Sequence, residues 1–179
     1  MKTALLIIDV QHALCHGKYA GFEADRVISR INSVSDRVRK AGDLVVVIQH
    51  ESPDGELAYK SEGWSIASGL ITSPNDTFVR KTATDSFHNT DLQSILKNHN
   101  VDHLIVCGLQ SEFCVDTTIR RALSLGYPVT LVSDGHTTMD NGILTAAQIS
   151  AHHNETLSNI TSFGPRVEAV QASQVRCDA

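Results

Sequence analysis

Short apolar runs alternate with stretches of helical spacing along nearly the whole chain, and no other feature narrows the possible folds as far. Residues 4–8, 44–48, 104–107 and 129–132 are brief and largely aliphatic, with many β-branched side chains, the pattern of strands buried on both faces, and residues 78–80 read as a further short strand. Between the first two, Val27, Ile28, Ile31, Val34 and Val38 recur at intervals of three and four across residues 23–41. Gly42 follows, where a helix end favours glycine. Residues 91–96, 114–125 and 141–157 read as further helices, and Ile160 is assigned to a last strand. Strands and helices in alternation specify an α/β domain with a mostly parallel sheet covered on both faces. A chain of 179 residues suits one such domain, spanning 1–179, which can bury a core without disulfides or a structural metal.

Right-handed crossovers in such a sheet bring the C-terminal ends of the strands to one edge, and ligands bind in the crevice there. Asp9 directly follows the first predicted strand, Lys81 the third, and Cys114 stands one short loop beyond the fourth. Taken singly, Asp9 also fits a helix cap, Lys81 a solvated charge and Cys114 a small apolar residue packed on the sheet. Their joint placement at one rim is what marks a site. The carboxylate can take a thiol proton and the ammonium can hold developing negative charge. Cys114 also opens a predicted helix, whose free N–H groups and positive dipole end favour thiolate over thiol.

Composition narrows the chemistry. The net charge is -5 with a sequence pI near 5.9, and the basic residues are scattered, which argues against a nucleic-acid or membrane partner and for a small-molecule substrate. Cys15, Cys107, Cys114 and Cys177 show no C-x-x-C spacing and no leader is read ahead of them, so a reducing, cytoplasmic setting is expected. Glycine-rich phosphate cradles are absent after every strand run. His152 and His153 are adjacent on a predicted helix and so point to different faces, which does not suit a metal. Residues 52–76 are rich in Pro, Gly and Ser, hold Trp64, and have the length of a lid or binding loop.

GLQSEFCVDTT, the segment containing Cys114, closely resembles the nucleophile motif of the isochorismatase-like cysteine hydrolases, which include nicotinamidases and N-carbamoyl amide hydrolases. Asp9 in LLIIDVQHAL, with Gln11 two residues on, is similar to that family's first-strand aspartate, and Lys81 in FVRKTATDSFHNTDL to its catalytic lysine. SFHNTDL and YPVTLVSDGHTT are family-like as well, so the resemblance runs in order over nearly the whole chain. It implies a Rossmann-like three-layer α/β/α fold with a six-stranded sheet and a triad of Asp9, Lys81 and Cys114. It implies in addition a cis peptide between Leu109 and Gln110, and an oxyanion hole made by the backbone N–H groups of Gln110 and Cys114. A homo-oligomer is implied too, because loops of neighbouring subunits often close the pocket in this family. Nicotinamidases carry D-x-H after the second strand, where this chain has Gln49, His50, Glu51 and Ser52, so no metal and no cofactor is expected.

The expectation is a cysteine hydrolase that cleaves an amide-type C–N bond of a small molecule through a thioester on Cys114. Gln11, Tyr19, Phe22, His50, Trp64 and Phe113 are the candidate substrate contacts. The alternative is a non-catalytic binding or sensing protein that retains the fold, supported by a 52–76 loop that matches no known substrate preference.

Overall fold

A strand buried along its whole length needs cover above and below, and the first strand is of that kind. The computed structural model describes residues 2–177. In chain order its elements are β1 (Thr3–Ile8), α1 (His12–Cys15), α2 (Ala24–Lys40), β2 (Leu44–His50), β3 (Thr77–Lys81), α3 (Leu92–Asn98) and β4 (His103–Leu109). A π-helical turn (Ser111–Val115) follows, then α4 (Asp116–Ser124), β5 (Val129–Thr137), α5 (Ala146–Ser158), β6 (Val167–Val170) and a 3-10 turn (Ala172–Gln174). All six residues of β1 are buried. Leu6 and Ile8 pack on one side of the sheet with Val46, Ile48, Leu104 and Val106. Leu5 and Ile7 pack on the other with Val45, Val47, Ile105 and Cys107.

The helical stripe Val27, Ile28, Ile31, Val34 and Val38 places α2 on the second face, while Leu92, Leu96, Ile119, Leu123 and Leu157 bring α3, α4 and α5 to the first. The result is three layers, helix on sheet on helix. Every strand pairing is parallel, and the order is β3-β2-β1-β4-β5-β6. The order reverses between β1 and β4, so the crevice outside their C-terminal ends is where the topology opens a pocket.

Some elements depart from the sequence reading. The last strand is Val167–Val170, and Ile160 instead packs partly buried against the core just beyond α5. The helix expected from residue 114 is preceded by the π turn, which already contains Cys114, and the four-residue α1 lies in what reads as a loop. Residues 52–76 carry no helix or strand and are tied down by isolated bridges, Gln11 to Ile66 and Ser52 to Ala58. β4 runs beyond the apolar residues 104–107, through Gly108 to Leu109.

Gly108 lies opposite Ile8 with φ of 118°, and a Cβ built there would come 2.0 Å from the carbonyl oxygen of Ile8. Only glycine lets β4 approach β1 this closely beneath Asp9. Beside it, β5 bulges. From the pair Val106–Leu131 to the pair Gly108–His136, β5 advances five residues while β4 advances two. The surplus lifts His136 to the level of the strand ends.

Candidate active site

The ends of four strands meet around one ammonium ion. Asp9 continues β1 by one residue, its N–H still donating to the carbonyl of Ile48 at 2.9 Å. Its φ of 51° then turns the chain off the sheet, a conformation that Asp tolerates better than most residues. Lys81 ends β3 in register with His50 at the end of β2, and Cys114 hangs from the π turn beyond β4.

Lys81 is 2% exposed although it is a lysine. Its Nζ lies 2.7 Å from Asp9 Oδ2, 3.1 Å from the carbonyl oxygen of Ala83, and 3.2 Å from both His50 Nδ1 and Cys114 Sγ, so three N–H groups are shared among four acceptors. An ammonium has no lone pair, so His50 Nδ1 must be the acceptor and its ring neutral. Burial, and then the neighbouring Lys81 charge, lower the His50 pKa in keeping with that state. Asp9 Oδ1 is buried and has no hydrogen-bond partner among the described residues. The carboxylate thus keeps a free acceptor oxygen, and one of its oxygens lies within 4.8 Å of Cys114 Sγ.

Burial pushes the Cys114 thiol up to about 12, the Asp9 charge pushes in the same direction, and Lys81 opposes both. At neutral pH the sulfur therefore rests as a thiol, contrary to the thiolate expected from a helix start. Desolvation outweighs the dipole here. Asp9, His50 and Cys114 also form a group of metal-type donors within 4.8 Å of one another. Each of the three already accepts from the Lys81 ammonium, so a divalent ion would have to displace that charge.

The other predicted contacts divide. His50 borders the ammonium, and Phe113 adjoins Cys114 with its ring exposed. Phe22 is exposed and fixed to the end of β5, its N–H donating to the carbonyl of Thr138 and its own carbonyl accepting from Thr137 Oγ1, both at 2.7 Å. Trp64 is half-buried, edge-on to Tyr59, and its indole Nε1 is buried without a partner among the described residues. Tyr19 is exposed, with the Lys18 ammonium over its ring.

Gln11 is not placed to touch a ligand. It is fully buried, its Nε2 donates to the carbonyls of His50 and Trp64 at 2.9 Å, and its Oε1 accepts from the N–H of His50 at 2.8 Å. It braces the 52–76 loop against the end of β2. The peptide between Leu109 and Gln110 is cis. The carbonyl of Ala83 escaped the sequence reading because a backbone group carries no residue signature, although its place two residues after a strand-end lysine hints at it.

Residues 3–162 match the Isochorismatase domain. Two streptothricin hydrolases of Streptomyces noursei are 41% and 40% identical to the chain over 138 residues, 76% of its length. The chain spans only 50% and 55% of the length of these two relatives. A crystal structure described as an isochorismatase family protein superposes with a TM-score of 0.84 at 35% identity, covering 94% of this chain and 98% of that one. N-carbamoylsarcosine amidase from Thermoplasma acidophilum shares the fold, with a TM-score of 0.82 at 23% identity over 98% of this chain and 99% of its own. With a domain match over most of its length and the whole fold in common with its relatives, the chain belongs to the isochorismatase family.

Proposed function

We propose that the protein is a cysteine hydrolase that splits the amide-type C–N bond of a small molecule through a thioester, with Asp9, Lys81 and Cys114 as its triad. The observation that carries this reading is the buried Lys81 ammonium, bonded at once to a carboxylate and to the sulfur of the nucleophile motif. The streptothricin hydrolases support the general class of reaction. In the resting site Asp9 is a carboxylate, Lys81 an ammonium and Cys114 a thiol. As sulfur attacks the substrate carbonyl, the thiol proton passes to Asp9, and the N–H groups of Gln110 and Cys114 receive the new oxyanion. Collapse breaks the C–N bond, Asp9 returns the proton to the leaving nitrogen, and an acyl thioester remains on Cys114. Water, its proton taken by Asp9, then attacks the thioester and releases the acid with the thiol restored.

His50, Trp64, Phe22 and Phe113 would wall the substrate. We include in the same proposal a cytoplasmic homo-oligomer, in which a second copy covers the exposed rings of Phe22 and Phe113.

The test is release of ammonia or amine, and of acid, from a panel of small amides, carbamoyl and ureido compounds. Cys114→Ala should lose at least about a thousandfold in kcat, and combining it with Asp9→Asn should add little, because the residues act as one unit. Activity that survives in Cys114→Ala would end the thioester mechanism. Cys114→Ala is the cleanest variant. Removing Lys81 or Asp9 alone leaves a buried charge unpaired at a cost of about 3–5 kcal/mol in stability.

A further inference from the structure

We infer that His136 is a positioning residue for the nucleophile turn, holding Ser111 in place so that Cys114 and the Gln110 N–H keep their spacing. The inference rests on the hydrolase reading above. His136 is buried at the end of β5, just past the bulge, and has no part in the triad. Its Nε2 lies 2.8 Å from Asn154 Oδ1, and its Nδ1 lies 2.8 Å from Ser111 Oγ.

The direction of this chain is determined. Asn154 Nδ2 donates to the carbonyl of Ser133 at 2.9 Å, which turns Oδ1 toward the ring. Nε2 must then carry the proton, Nδ1 offers a lone pair, and the hydroxyl of Ser111 donates to it. Ser150 Oγ, 3.0 Å from Ser111 Oγ, supplies the donor that the Ser111 oxygen accepts. One run of hydrogen bonds thus joins α5, the bulge of β5 and the π turn.

Ser111 sits between the two groups whose placement matters. Inside the turn, the N–H groups of Phe113 and Val115 both donate to the carbonyl of Gln110, at 3.1 and 3.2 Å. A π turn is a poorly self-supporting structure, and such turns recur at functional sites. Two side-chain ties from the same stretch of β5 and its continuation steady this one. His136 holds Ser111, and Thr138 Oγ1 donates to Glu112 Oε1 at 2.9 Å. Burial keeps the His136 pKa down to about 4, so the lone pair that Ser111 needs persists through the neutral range. The bulge explains why so much of SDGHTT is polar yet inward-facing. It spends three residues of β5 on bringing an imidazole over the turn.

Two isosteric replacements separate positioning from mere packing. Asparagine sets its carboxamide oxygen near the place of Nδ1, whereas glutamine sets its amide nitrogen near the place of Nε2. With the panel amide that the wild type turns over fastest, His136→Asn should keep kcat within about tenfold. His136→Gln should lower kcat roughly a hundredfold with KM within about threefold, and Ser111→Ala should match it while leaving the Asn154 contact intact. Should no panel amide turn over, the hydrolase reading fails, and the same ordering is read in the rate of Cys114 alkylation by iodoacetamide. There His136→Asn should follow the wild type, and the other two variants should depart by more than about threefold. Equal losses in the Asn and Gln variants, or a Ser111→Ala variant that behaves as wild type, would overturn the inference.

Discussion

Lysine is among the residues least often buried, and Lys81 is sealed only because four acceptors surround its ammonium. Nothing local in FVRK announces this. Residues 78–80 read as a short strand, but which strand-end cation turns inward depends on Asp9, 72 positions earlier in the chain. Asp9 and Cys114 were more legible, since each stands at the exit of an apolar run. What their positions did not disclose is the charge state of the sulfur. The sequence suggests a thiol lowered by a helix start, and the folded chain raises it instead, first by burial and second by the Asp9 carboxylate. Alkylation measures the balance. Followed by mass spectrometry, iodoacetamide labelling of Cys114 should be slow at pH 7 and accelerate toward pH 12. Asp9→Asn removes a negative neighbour, so its rate-pH curve should shift to lower pH, and a curve displaced upward would contradict the assignment.

At the level of elements, the buried strand runs were readable because burial on both faces leaves them few polar residues, and α2 because its apolar stripe contrasts with an exposed polar face. The pieces that escaped are short. β6 has four residues, of which only Val167 is fully buried, so VEAV carries no stronger signal than the nearby Ile160. The π turn and the β5 bulge are local departures from regular pairing, and residue spacing alone cannot show them. Gly108 illustrates how much one such position can decide. Its conformation and its clearance from Ile8 both exclude a side chain, and Ile8 immediately precedes Asp9. Gly108→Ala should therefore cost roughly 4 kcal/mol or more, well beyond an ordinary helix or strand glycine, and should abolish turnover in whatever fraction stays folded. Chemical denaturation checks the first effect. A loss under about 1 kcal/mol would show that β4 and β1 can separate without harm.

For the molecule as a whole, the strand order gathers residues from positions 9 to 154 at one end of the sheet, and stability and function share the same buried polar groups there. The acid limb of stability should report this. His136 has a folded pKa near 4, held down first by burial and also by His153, while Asn154 and Asp134 act in the opposite sense. Its unfolded value is near 6.5, so below that pH the unfolded chain binds the extra proton. Stability should be complete above about pH 6.5 and fall by about 3 kcal/mol on the way to pH 4. His136→Asn should flatten that fall when melts are compared across pH, and an unchanged slope would count against a neutral buried ring. The paired carboxylate and ammonium described at the strand ends have one more consequence. Together with the protonated sulfur they sum to zero formal charge, and handing the hydrogen ion from Cys114 to Asp9 leaves that sum at zero. A low-dielectric interior penalises any uncompensated ion. In the cycle proposed for this site, the only fresh negative charge arises on the substrate oxygen, which the proposal assigns to the N–H groups of Gln110 and Cys114.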